Sequence, residues 1–210
     1  MVVALVISVV IKTFLVQAFY IPSASMENTL LINDRVLVNK LANQPEEIHR
    51  GEVVVFRDPG GWLPPSAGNS GVRGAIQDAL VFVGLAPSSS ERDLVKRVIG
   101  VGGDKVACCD DDGHITVNGQ PLEEPYVYPG DEPSGEKFSV TVPKGELWVM
   151  GDHRSVSEDS RAHRQQPGKG FVPVDDVIGR AFTIVWPLDR ARMLHRPPTF
   201  SQPGLAAAGH

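Results

Sequence analysis

The sequence predicts an all-β domain preceded by one apolar helix. Three observations carry that prediction. Short β-branched runs recur between residues 34 and 188, Gly (21) and Pro (17) are frequent among the 210 residues, and residues 1–21 are almost continuously apolar. With 42% hydrophobic and 21% charged residues, the chain can bury one substantial core, or a core and a small subdomain, and is not a disordered polymer. Its formal net charge of -5 gives no broad basic field, so no nucleic-acid partner is expected.

The elements follow in chain order. Residues 1–21, rich in Val, Leu, Ile and Phe, would extend roughly 31 Å as a helix, close to the hydrocarbon thickness of a bilayer. Lys12 at its centre costs about 3 kcal/mol, which the apolar residues outweigh. A cleaved leader would carry a positively charged start, and this segment has none ahead of Lys12, so a retained transmembrane anchor is expected. Strands are predicted at "DRVLVNKL" (34–41), "GEVVVFRD" (51–58), "DLVKRVIG" (93–100), "ITVNGQPL" (115–122), "GELWVMGD" (145–152) and "GRAFTIVWPL" (179–188). Asn118-Gly119 is a hairpin signal, because a type I′ turn needs positive φ at both central residues. Residues 59–92 read as a loop-rich insertion with a short amphipathic helix at "AIQDALVFVGL" (75–85), and 191–210 as a flexible tail.

Three polar segments interrupt this pattern. In "PSASM", Ser23 and Ser25 stand two apart directly after the apolar stretch, and Ser25 alone could be a helix cap. In "LVKRVIGVGGD", alternation puts Lys96 on the face of Leu94 and Val98, and Arg97 on that of Val95 and Ile99, so Lys96 can be buried. "GDHRSVSEDSR" reads by default as a solvated loop. The only cysteines, Cys108 and Cys109, are adjacent; they can close a small ring or remain thiols, and cannot form a zinc site by themselves. No ligand set for a metal and no cofactor motif is visible.

Taken together and in this order, the anchor ending at "IPSASM", then "DRVLVNK", "GEVVVFRDP", "KRVIGVGGD" and "GDHRSVSEDSR", resemble the bacterial type I signal peptidases, membrane-anchored Ser-Lys endopeptidases that remove signal peptides from exported preproteins. The resemblance implies an antiparallel-sheet Ser-Lys peptidase fold, with catalytic β segments at 22–58, 93–103 and 146–190 and a smaller β subdomain at 104–145. It implies Ser25 as nucleophile, Lys96 as general base, Ser23 as oxyanion donor, Ser157 as the hydroxyl that orients the lysine, and Asp159 with Arg161 as a supporting ion pair. It also implies preprotein substrates, contact with membrane lipid, a monomer, and a single-pass protein of the bacterial cytoplasmic membrane with its catalytic domain on the outer face. His153 and Val156 stand where the family commonly has asparagine.

Elementary chemistry supports the same roles. A serine hydroxyl needs a neutral base in hydrogen-bond reach. An ordinary lysine is neutral in only about one molecule in 2,500 at pH 7, and burial can shift its pKa by about 3 to 5 units. Asp159 paired to Arg161 is less free to hold Lys96 charged. Other readings are a self-cleaving Ser-Lys protein of the same fold, a Ser-His-Asp hydrolase using His153 or His163 with Asp152, and an inactive membrane-tethered β-domain. The anchor argues against the first. The second lacks a nucleophile elbow, and the third would not need Ser25, Lys96 and Ser157 together.

Overall fold

The computed structural model describes residues 15–42, 47–64 and 93–205. Its strands are β1 (Val16–Tyr20), β2 (Arg35–Asn39), β3 (Val53–Arg57), β4 (Asp93–Val101), β5 (Lys105–Cys108), β6 (Ile115–Val117), β7 (Gln120–Pro121), β8 (Phe138–Thr141), β9 (Glu146–Met150), β10 (Val172–Pro173), β11 (Val177–Trp186) and β12 (Arg192–Met193). Eight form one sheet in the order β1-β2-β11-β3-β4-β9-β10, with β12 also on β11, and four form a second in the order β7-β6-β5-β8. Every pairing is antiparallel. The second sheet is inserted between β4 and β9, which are neighbours in the first.

Alternation decides where each strand buries its side chains. Val53 and Val55 of β3 join Val36, Val38, Ala181 and Ile184 in one core, which also takes Phe19, Ile21, Met26 and Leu30. Val54 and Phe56 point the other way, into a core with Val98, Leu147 and Val149. A third core, built on Ile99, Trp148 and Met150, holds the small sheet through Val106, Ile115 and Val117. Asn118 and Gly119 have φ of 53° and 79°, as the hairpin signal requires, and join β6 to β7. The predicted strand at 115–122 is therefore two short ones.

The N-terminal expectation changes at one place. Residues 16–20 are not the end of a helix: they form β1, which pairs with β2 from Val16↔Asn39 to Tyr20↔Arg35. Phe19 and Ile21 are buried in protein, and hydropathy alone cannot tell that burial from burial in lipid. Residues 1–14, which carry the rest of the expected anchor, and the expected helix at 75–85 lie outside the described residues. Among those described, no helix is long and apolar enough to cross a membrane. Residues 191–205, expected as a flexible tail, instead form β12 and two short 3-10 turns. Phe200 and Leu205 enter the third core, where two apolar side chains outweigh a segment rich in proline.

Candidate active site

The segment between β1 and β2, residues 21–34, is closed at its base by hydrogen bonds from Ile21 N to Asp34 O (3.0 Å) and from Asn33 N to Ile21 O (2.9 Å). Inside it the chain turns tightly, with Glu27 N donating to Ala24 O and Leu30 N to Met26 O. Met26 and Leu30 are fully buried, so the apolar residues of "SMENTLL" hold the loop down while Ser23 stays exposed and Ser25 half-buried. Asn28, at φ 82°, donates through Nδ2 to the carbonyls of Tyr126 (3.1 Å) and Val127 (3.0 Å), tying the loop to the segment between β7 and β8.

Lys96 lies in β4 opposite Val54 and is 3% exposed. Its Nζ stands 2.6 Å from Ser25 Oγ, and Ser23 Oγ is 3.4 Å from the same oxygen. Removal of the amine from water is the largest influence on it and pulls its pKa down from the ordinary 10.5 to about 8; Asp159 and Asp152 oppose the fall, and Arg161 assists it. Both carboxylates are committed elsewhere. Asp159 binds Arg161 through two hydrogen bonds of 2.9 and 2.8 Å, and that pairing, against its own burial, holds its pKa below the usual carboxylate range. Asp152 is held by Arg97 at 2.8 and 2.6 Å and also accepts the Thr29 hydroxyl.

Gly151 is the hinge of the arrangement. β9 ends at Met150, opposite Arg97, so the next residue falls beside Lys96. A Cβ at Gly151 would lie 2.2 Å from Ser157 Oγ and 2.4 Å from the Ser25 carbonyl oxygen, closer than any side chain tolerates. Its N–H donates to Asp159 Oδ2 at 2.9 Å. The absent side chain thus lets Ser25, Ser157 and Asp159 converge.

Of the sequence-predicted residues, Ser25, Lys96 and Ser23 come together and Asp159 pairs with Arg161. Ser157 is adjacent but not bonded: its Oγ is shut off from solvent and has no hydrogen-bond partner among the described residues. His153 donates its N–H to the Ser25 carbonyl (3.1 Å), sets Nδ1 3.2 Å from Glu27 Oε2 and stacks on Tyr128, whereas Val156 is exposed. His163 stacks on Trp62 and bonds the Asp159 carbonyl. Neither imidazole bonds Ser25. Gly151, Asn28 and Thr29 were missed by sequence reasoning. Only the Gly-Asp pair that opens "GDHRSVSEDSR" hinted at the first. Cys108 and Cys109 are joined by a disulfide at the end of β5.

A hydroxyl touching a desolvated amine is a pairing that can serve as nucleophile and base. The chain belongs to the signal peptidase family, peptidase S26, whose model matches residues 1–186. It is 44% identical over 214 residues to signal peptidase I of Mycobacterium tuberculosis (strain H37Rv), covering 90% of this chain and 71% of that one. It is 41% identical to a probable signal peptidase I of Mycobacterium leprae (90% and 75% covered) and 35% identical to a probable signal peptidase I-2 of Synechocystis (92% and 74%). Against the crystal structure of a signal peptidase I from Enterococcus faecalis it gives a TM-score of 0.40 at 23% identity, covering 63% of this chain and 95% of that one.

Proposed function

We propose that this signal peptidase cuts signal peptides from preproteins with Ser25 as nucleophile and Lys96 as general base. The observation that carries the reading is the 2.6 Å contact between Ser25 Oγ and a buried amine with a pKa near 8. At pH 7 such an amine is neutral in about one molecule in ten, against about one in 3,000 at the ordinary value of 10.5. The neutral form takes the Ser25 proton as the oxygen attacks the scissile carbonyl, and returns it to the leaving amine.

The developing oxyanion is held by the Ser23 hydroxyl and the Ser25 N–H, which donates to no carbonyl among the described residues. Ser157, a buried hydroxyl without a hydrogen-bond partner among the described residues, is the group that orients the Lys96 amine toward Ser25; an unmet buried hydroxyl costs about 1 to 3 kcal/mol, so a contact with the amine relieves that cost. β1 is an edge strand and runs directly into the Ser23–Ser25 loop, so an extended preprotein segment adds to it as a further strand. Residues 22–58, 93–103 and 146–190 form the catalytic domain, and 104–145 the smaller subdomain. The apolar N-terminus anchors a monomer in the bacterial cytoplasmic membrane, with this domain on the outer face.

The test is incubation of the detergent-solubilised chain with a preprotein, the cut being mapped by mass spectrometry beside a Ser25→Ala control. One cut at the end of the signal peptide in the wild type alone is the expected result. Cutting by both proteins would remove Ser25 from the mechanism.

A further inference from the structure

Beside β3, β11 and β12 lies an open hollow of about 530 Å3, lined by neither Ser25 nor Lys96. Arg97, Arg180, Arg192, Arg196 and His195 line it, with Glu52 as its one carboxylate. Two of the arginines are matched by acids: Arg97 by Asp152 and Arg180 by Glu52, each at 2.6 Å. The other two are not. Arg192 Nη2 donates to the Thr29 carbonyl at 2.9 Å and Arg196 Nη2 to Ser201 Oγ at 2.8 Å, and among the described residues no carboxylate pairs with either.

These contacts, with a longer one from Arg196 Nη2 to the Phe200 carbonyl at 3.5 Å, are to neutral oxygens and leave N–H groups on each guanidinium for a further acceptor. The charges stand in a concavity of a protein whose formal net charge is -5, so long-range attraction from the whole molecule does not explain a basic hollow. A guanidinium presents its N–H groups as a fork that matches the oxygens of an oxyanion. One carboxylate would answer one fork. A phosphate group has enough oxygens for both, with the His195 ring as a further donor at the rim.

We propose that this hollow binds a phosphate group, with Arg192 and Arg196 as its principal ligands. The phosphate can come from a lipid headgroup, whose phosphodiester spreads its two free oxygens one toward each guanidinium, or from solution, where inorganic phosphate offers more than one oxygen to each. The proposal rests on the hollow alone and stands whether or not Ser25 is the nucleophile.

The test titrates the detergent-solubilised full chain by calorimetry with inorganic phosphate and, separately, with short-chain phosphatidylglycerol and short-chain phosphatidylcholine. Three variants accompany the wild type. Arg192→Ala/Arg196→Ala removes the forks, Arg192→Lys/Arg196→Lys keeps charge without them, and Arg35→Ala/Arg57→Ala removes equal charge from exposed positions elsewhere. The expected result is saturable phosphate binding that weakens about tenfold or more in the alanine pair, less in the lysine pair and not in the control pair. Phosphatidylglycerol binding that follows the same order, with phosphatidylcholine inert, identifies a lipid headgroup as the source; a response to inorganic phosphate alone identifies a soluble one. No saturable binding of either anion, or equal losses in the two alanine pairs, would overturn the site.

Discussion

Replacing Lys96 by methionine should inactivate the enzyme and stabilise it, and the gain should depend on pH in a way set by one group. The methionine keeps an unbranched apolar stem opposite Val54 and removes the amine, with sulfur in place of one methylene. Lys96 has a folded pKa near 8 against an ordinary 10.5. A lowered lysine pKa means that the unfolded chain binds the proton more tightly than the folded one, so folding carries a penalty below the folded pKa that fades as pH rises toward the unfolded one. The full fall corresponds to about 3 kcal/mol. Since Lys96 is almost wholly out of water, solvent screening does not discount that figure much. At pH 7 the variant should therefore be more stable by up to about 3 kcal/mol, less whatever the lost contact with Ser25 contributed, and at pH 10.5 the two proteins should approach each other. Urea unfolding followed by tryptophan fluorescence at pH 7, 9 and 10.5 reads the difference directly. A variant that is less stable than the wild type at pH 7, or a gain that is the same at every pH, would refute the claim that desolvation governs this lysine.

Other expectations follow from the same geometry. Between pH 6 and 9 the cleavage rate of the wild type should rise along a limb centred near 8, where Lys96 loses its proton, and level off above it; a limb near 6.5 would point to a histidine. Gly151→Ala should fold but lose at least about a hundredfold in turnover, since the Cβ displaces Ser157 or the Ser25 carbonyl and with them the aligned pair. Near-normal turnover would show that the loop moves freely. Ser157→Ala should lower kcat about 10² to 10⁴-fold with little change in KM, because it misdirects the base without touching the substrate; wild-type kcat would assign the aim of Lys96 to something else. The change of Cys108 and Cys109 together to serine should leave cleavage intact, as their disulfide lies in the small sheet and not against the reacting pair, and a well-folded but dead variant would contradict that.

How far the sequence could be read depended on whether the information was local. β2, β3, β4 and β11 were visible because each is a run of β-branched residues bounded by turn formers, and the Asn118-Gly119 hairpin because its backbone requirement is met by two residues. β5 and β8 escaped: at four residues each, "KVAC" and "FSVT" are too short to show a pattern, and their pairing with each other, across thirty-odd residues of chain, and of β5 with β6 makes them strands. β1 was hidden differently, inside an apolar run whose hydropathy suits a bilayer as well as a protein core. Among the site residues, serine and lysine advertise chemistry by type. Gly151 and Asn28 act through a missing side chain and a backbone carbonyl, and neither carries a label.

The dipeptide Lys96-Arg97 shows why type and position together still left the chemistry open. Both cations sit in one strand, both are nearly fully buried, and both have apolar neighbours two residues away on their own face of the strand. What separates them is the partner each meets. Arg97 finds Asp152 in a two-bond pair and the Gly51 carbonyl at 2.7 Å, so its charge is neutralised in place and its pKa is raised despite burial. Lys96, one residue earlier and on the opposite face, finds a serine hydroxyl, while the carboxylate that could have held it charged is taken by Arg161. The two ion pairs therefore do more than stabilise the loop. By engaging Asp152 and Asp159 they leave a buried amine with no carboxylate of its own among the described residues, and such an amine reaches its neutral form closer to physiological pH. Freeing the Asp159 carboxylate, as in Arg161→Ala, returns the counter-ion to Lys96 and should move the limb of the rate profile upward by a measurable fraction of a pH unit or more, even though no group in contact with the scissile bond has changed.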